Sequence, residues 1–411
     1  MSEKIKIMTI SDSPFAPSGV GTQTKYMIEA LLKTGKFSVF SIAGAIKHVD
    51  YRRIQTDEYG EDWITQPIDG YGNPEVLRSL VMHKKPDILW FMTDPRFYEW
   101  LWNMDNEIRK NVPMAYYHVW DNYPYPTFNR KWYLSNDLVA NISKVTDDIV
   151  KTVAPEVSSV YIPHAVDPEV FKKYDEFERD SQFDGKFLFF WNNRNARRKQ
   201  SGSLIFWFKE FLDKVGHDKA GLIMHTDPRD EHGQDLIAIV EELGLTEGQV
   251  MLSTDKVSPD DLAKYYNLVD CTINISDAEG FGLATLESLS CETPVIVNMT
   301  GGLQEQVTDG ESWFGIGIEP SSKAVIGSQQ VPWIYEDRIN KEDFIAALEK
   351  MISAPKEQIE SWGRDGRAHV EKNYSFDNYG KTWVKTLTDL HERCGSWEER
   401  KDYNNWGLFE L

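Results

Sequence analysis

Cysteine is scarce: Cys271, Cys291 and Cys394 are the only three in a chain of 411 residues. The count is odd and no pair has Cys-x-x-Cys spacing, so a disulfide framework is excluded and a zinc site finds no support. Long apolar runs are missing too, and none approaches the roughly 20 residues that a membrane helix needs. The opening stretch MSEKIKIMTI carries Glu3, Lys4 and Lys6 where a secretory leader would have its apolar centre. No transmembrane segment and a reducing, cytoplasmic setting are expected. Positive charge is in deficit: 45 Lys and Arg stand against 65 Asp and Glu, a formal net charge of -20. A general nucleic-acid binder presents a broad basic face, and this balance argues against one.

What is present is enough for two buried cores. The length of 411 residues, with 41% apolar and 13% aromatic side chains, fits two domains better than one. KIKIMTIS reads as a first strand, followed by the loop DSPFAPSGVG and the amphipathic helix TQTKYMIEALLKTG. FSVFSIAG, PDILWFM, PMAYYHV and DLVANIS continue a series of apolar strands. A second series follows: KFLFFWN, AGLIMHT, QVMLST, CTINIS and TPVIVN. Continuous apolar strands alternating with helical stretches are the pattern of parallel sheets covered on both faces. The expected architecture is α/β, with two doubly wound Rossmann-like domains facing a deep cleft, where strand C-termini would bind ligand. The expected boundaries are 1–165 for an acceptor domain, 166–185 for a linker, 186–374 for a donor domain, and 375–411 for a helical segment packing back on the first domain.

Three stretches carry candidate chemistry. In SGVGTQTKYM, Gly19 and Gly21 sit between a strand and a helix, where bare backbone can approach an anion. Thr24 stands where a dinucleotide fingerprint would have its third glycine. In WNNRNARRKQSG, the cations Arg194, Arg197, Arg198 and Lys199 follow a strand end directly. A diphosphate placed there could be neutralised by an Arg and a Lys while a leaving group departs. Arg197 and Arg198 are read as bystanders.

The third stretch is NISDAEGFGLATLESLSCETPVIV, residues 274–297. A strand runs through a loop into a helix, with Glu279 before the helix and Glu287 eight positions later, more than one turn in. Amides of Gly280, Phe281, Gly282, Leu283 and Ala284 lie at the helix start, the anion-binding end. A ligand lying along it would meet a carboxylate, a set of amides and a second carboxylate. The sugar hydroxyls, diphosphate and ribose of a nucleotide-sugar come in that order.

The segment EGFGLATLE resembles the E-x7-E element of retaining glycosyltransferases of the two-Rossmann-domain (GT-B) type, family 4. The loop at Gly19 and Gly21 is similar to the family's Gly-rich loop, with Val20 between glycines that are usually adjacent. RNARRK is similar to the family's Arg…Lys pair. VYIPHAVDPEVF is similar to its interdomain linker, and GGLQEQVTDGESWFGI to the segment after its last paired strands. The resemblance implies that Glu279 contacts donor-sugar hydroxyls, Glu287 the ribose, and Arg194 with Lys199 the diphosphate. It also places His118, in AYYHVWDNYP, near the sugar, with Asp121 orienting it or touching the acceptor. A nucleotide-sugar, with UDP the commonest base in the family, would be a co-substrate, and neither cofactor nor metal is expected. Retention of configuration is implied, by same-face attack or through a covalent intermediate.

For the acceptor, Trp120, Tyr123 and neighbouring aromatics could stack on sugar rings or on nucleobases, or serve as packing. Three readings remain open at this point. The first is a transferase for a saccharide, lipid-linked or small-molecule acceptor. The second is a transferase for hydroxymethylated bases of DNA, which would flip the base into an aromatic pocket. The third is a non-catalytic nucleotide-sugar-binding protein.

Overall fold

The computed structural model describes residues 4–45, 47–123, 125–329 and 331–403. Two compact units are present. The first comprises Met1–Trp120, Tyr125–His164 and Phe376–Leu411, and the second Asp121–Pro124 and Ala165–Ser375. Residues 404–411 of the expected C-terminal helical segment lie outside the described residues. Among the described residues no helix is long and apolar enough to cross a membrane.

The first unit is built on an eight-stranded sheet. From edge to edge its strands are Ile54–Gln55, Trp63–Pro67, Phe37–Gly44, Ile5–Asp12, Ile88–Met92, Met114–His118, Leu138–Asn141 and Ser159–Tyr161. All neighbours are parallel except the short edge pair Ile54–Gln55 and Trp63–Pro67. Ile88–Met92 and Met114–His118 are buried at every position, which explains why they read as continuous apolar runs and not as alternating ones. The helix Gly19–Lys33 turns Met27, Ile28 and Leu31 inward. Against it lies the helix Phe376–Cys394, whose Gly380 comes so near Ala30 that an added Cβ would stand 2.8 Å from the Ala30 Cβ. Tyr379 donates to the Gln23 carbonyl at 3.0 Å, and Trp383 sets its edge against Tyr117 and Trp90, with centroids 4.9 and 5.8 Å away.

The second unit carries a six-stranded parallel sheet in the order Val250–Ser253, Ala220–His225, Phe187–Asn192, Cys271–Asn274, Val295–Asn298, Gly315–Ile318. Phe187–Asn192 comes first in the chain and sits in the middle, so the winding direction reverses between it and Cys271–Asn274. That reversal opens a crevice at the strand C-termini. Phe189, Trp191, Leu204, Phe208, Phe211 and Ile273 are fully buried in the core beneath it, each contributing on the order of 1.5–3 kcal/mol by leaving water. An antiparallel hairpin, Ser322–Ile326 with Ile334–Arg338, follows the sixth strand. The GT-B plan of two Rossmann-like domains is therefore present, each unit with its own parallel sheet.

Candidate active site

Two loops meet at the crevice of the second unit. One leaves strand Phe187–Asn192, makes a tight turn at Arg197–Lys199, and enters the helix Ser201–Val215 through Gln200, whose φ of 57° is left-handed. The other leaves Cys271–Asn274 and enters the helix Leu283–Ser290 through Gly282, at φ 98°. The Asp277 amide donates to the Arg198 carbonyl at 2.8 Å, and the Arg198 guanidinium donates to the Ala278 carbonyl. Between these links the Lys199 ammonium closes on the Glu279 carboxylate, both residues being less than a tenth exposed. The second loop is held from behind by glycines. A Cβ on Gly301, at φ 51°, would stand 1.8 Å from the Glu279 carbonyl oxygen, and the Gly302 amide donates to that same oxygen at 3.0 Å.

No side chain caps the helix Leu283–Ser290. Its first amides, around Leu283 and Ala284, have no partner within the helix and lie half-buried at its positive end. Phe281 buries its ring edge-on against Tyr374 and offers the site its backbone only. Glu287 is partly buried and accepts from the Tyr266 hydroxyl at 2.7 Å, which in turn accepts from Asn192 at 3.0 Å. This chain of hydrogen bonds ties the second glutamate to the end of the strand that launches the cationic loop.

The two glutamates are pushed in opposite directions. Burial raises the Glu279 pKa, but Lys199 and then Arg198 outweigh it and hold the carboxyl below its usual range. Glu287 has no cation beside it, and burial pushes it up to about 7 despite the Tyr266 hydrogen bond. Asp277, buried beside Gln200 and Arg338, is pushed up to about 6. One acid is held ionised by its cations and the other is pushed toward neutrality by burial, and perturbed carboxyls of this kind cluster at functional sites.

Residues 220–369 match the family described as glycosyl transferases group 1. The match takes in a little over a third of the chain. A D-inositol 3-phosphate glycosyltransferase of Acidothermus cellulolyticus is 37% identical over 90 residues, 22% of this chain and 20% of that protein. One from Gordonia bronchialis is 29% identical over 143 residues, 35% of this chain and 26% of the other. The matched region thus spans about a fifth to a quarter of these relatives. In overall fold, a sucrose-phosphate synthase from Thermosynechococcus elongatus superposes with a TM-score of 0.74 at 16% identity, covering 95% of this chain and 100% of that one. A structure titled trehalose-6-phosphate from E. coli, bound with UDP-2-fluoro glucose, gives 0.70 at 11% identity, covering 94% and 98%. At these identities the likeness shows the GT-B fold.

The remaining sequence-predicted residues fall in distinct places. Arg194 grips Asp230 through two hydrogen bonds of 2.6 and 3.0 Å, with its side chain 59% exposed. Arg198, read as a bystander, is the cation that accompanies Lys199, and it also faces Asp121 at 3.6 Å. Arg197 pairs in bidentate fashion with the buried Glu336, at 2.7 and 2.8 Å. Tyr123 accepts the Tyr335 amide at 2.7 Å and so joins the hairpin of the second unit.

In the first unit, Gly19 is exposed, whereas Gly21 is buried and already capped by Ser18 at 3.0 Å. Gly21 also allows a close approach, since a Cβ there would meet the Ser13 carbonyl at 2.6 Å. His118 is fully buried, with Asn141 and Tyr133 at 3.0 and 2.9 Å from its two ring nitrogens, and burial lowers its pKa to about 3. It is a neutral core residue. Trp120 is 5% exposed and packs edge-on against Phe128. Sequence reasoning set Arg198 aside as a bystander and passed over Gln200, Tyr266 and Gly301. Of these only the glycine pair Gly301–Gly302 after a strand left a readable signal.

Proposed function

We propose that this protein transfers a sugar from a nucleotide-sugar, with UDP as the expected nucleotide, to a hydroxyl-bearing acceptor, with retention of configuration, without a metal and in a cytoplasmic setting. The observation that carries the reading is the buried Lys199–Glu279 pair beside an uncapped helix start, in a segment matched by the group 1 family. Glu279 is a permanent acceptor for donor-sugar hydroxyls. Lys199 and Arg198, with the amides from Phe281 to Ala284, stabilise negative charge growing on the leaving diphosphate. Arg194 joins them once it releases Asp230, a cheap step because the ion pair is exposed. Glu287 accepts from ribose hydroxyls. The bond from the anomeric carbon to the phosphate oxygen breaks, its electron pair leaving with the diphosphate. The acceptor oxygen attacks from the same face, and its proton passes to the departing phosphate oxygen. His118, buried and neutral, takes no part in proton transfer.

The names of the relatives and of the solved structures support a small polyol or sugar phosphate as acceptor. The test incubates the protein with UDP-, GDP- and ADP-glucose, each with inositol phosphate, glucose 6-phosphate, fructose 6-phosphate or hydroxymethylated DNA. Transfer or slow hydrolysis of one donor, lost in Glu279→Gln, is the expected result. Tight donor binding without turnover under any pairing would replace the reading with a binding protein, and glucosylated DNA would replace the acceptor class.

A further inference from the structure

Gln200 has a backbone conformation that its residue type does not favour. Its φ of 57° and ψ of 31° are left-handed, a region that glycine occupies at little cost and a Cβ-bearing residue does not. The side chain is fully engaged: its amide nitrogen donates to an Asp277 carboxylate oxygen at 2.5 Å, and its amide oxygen accepts from the Ser203 hydroxyl at 2.7 Å. Its carbonyl accepts the Leu204 amide at 2.8 Å, so the residue is rooted in the first turn of the helix Ser201–Val215. Gln200 directly follows Lys199, and Asp277 lies two residues before Glu279. The hydrogen bond therefore joins the two loops one step away from the pair itself.

We propose that Gln200 is a positioning residue, a clamp between the two loops that holds the Lys199 ammonium and the Glu279 carboxylate in register for the donor. The inference rests on the transferase reading for its kinetic consequence. Among the described residues four links run between the loops, and three of them start from a cationic side chain or the main chain: Arg198 to Ala278, Lys199 to Glu279, and the Asp277 amide to Arg198. Gln200 supplies the one that starts from a neutral side chain, and it ends on the Asp277 carboxylate. A neutral amide fits there because Asp277 already faces Arg338 at 3.1 Å, with Glu336 and Arg197 behind it. A carboxylate at position 200 would confront Asp277 directly.

Gln200→Gly separates the clamp from folding, because glycine accepts the left-handed backbone and loses only the side chain. The expected result is a melting temperature equal to or above that of the parent. Amide exchange confined to residues 275–282 should rise by about 10-fold. UDP-glucose turnover should show kcat lowered about 10-fold and donor KM changed less than about 3-fold, since misplacement acts on the oriented complex. Gln200→Glu should be slower than the parent at about pH 8 and recover toward it at about pH 5.5, where the two carboxyls share a proton. Parental exchange and parental kcat in Gln200→Gly would overturn the clamp, as would faster exchange throughout the second unit with a lowered melting temperature. If the parent neither binds UDP nor turns over UDP-glucose, the transferase reading fails, and the exchange comparison alone decides whether the clamp exists.

Discussion

Consider Lys199→Met. The ammonium and the Glu279 carboxylate are 10% and 12% exposed as side chains, so each has lost most of its water and depends on the other. At contact distance and an effective dielectric near 20, the attraction is about 4 kcal/mol. Methionine fills the space of the lysine stem but leaves Glu279, among the described residues, with Arg198 as its remaining cation. Stranding a buried charge of this kind costs roughly 3–5 kcal/mol, and we take about 3 because Arg198 remains. For a domain of this size that is a fall in melting temperature of about 6–12 °C. The pH dependence should reverse as well. In the parent the Glu279 pKa is lowered by Lys199 and Arg198, so its stabilising contribution is present above the unfolded value and is lost as pH falls through the folded one. In the variant the burial effect dominates, the carboxyl pKa rises, and the penalty shrinks as the medium is acidified. Scanning calorimetry from about pH 5 to pH 8 should therefore show the two proteins converging at the acid end. The double variant Lys199→Met with Glu279→Gln should recover more than half of the loss, as a coupled pair does. A melting temperature within a degree of the parent, or additive losses in the double variant, would show that the pair is not buried in the way described.

Four further outcomes follow from the same geometry. Because burial raises the Glu287 pKa to about 7, its contribution to stability is greatest below about pH 4.5 and is lost as pH rises through neutrality. Glu287→Gln should thus gain on the parent by up to about 3 kcal/mol between those limits, measured by urea unfolding at each pH, while UDP affinity falls. Gly301→Ala places a methyl 1.8 Å from the Glu279 carbonyl oxygen and should cost more than about 3 kcal/mol together with all donor binding, read by calorimetry. Arg194→Ala removes an exposed ion pair and should change stability by less than about 1 kcal/mol. Arg198→Ala should lower both stability and UDP affinity, so binding and melting assays on the pair rank the two arginines.

Ile54–Gln55, Trp63–Pro67, Ser159–Tyr161 and Gly315–Ile318 escape the reading, but the other strands of the two sheets could be read from the chain because burial on two faces demands unbroken apolar runs. LFFW of Phe187–Asn192 and all of Ile88–Met92 are such runs. The hairpin Ser322–Ile326 with Ile334–Arg338 could not, because SKAVI and IYEDR are short, mix polar with apolar residues, and the first is mostly exposed. The two glutamates stood out because glycines mark the turn into their helix. The partner of Lys199 was harder to find. Spacing counts positions along the chain, but the tight turn at Arg197–Lys199 and the left-handed Gln200 decide which guanidinium swings toward Glu279. His118 shows the same gap: it ends a strand buried at all five positions, and nothing in AYYHV tells an inward ring from an outward one.

The first unit is not contiguous in the chain, since its packing requires the helix Phe376–Cys394. During synthesis, Trp90 and Tyr117 leave the ribosome long before Trp383 exists to cover them. Most of the second unit, drawn from a single stretch, can mature while the first waits half-assembled. An early stop ahead of Phe376 would therefore strike the opposite half of the molecule, exposing aromatic surface to chaperones and proteases while sparing the two loops joined through Lys199 and Glu279.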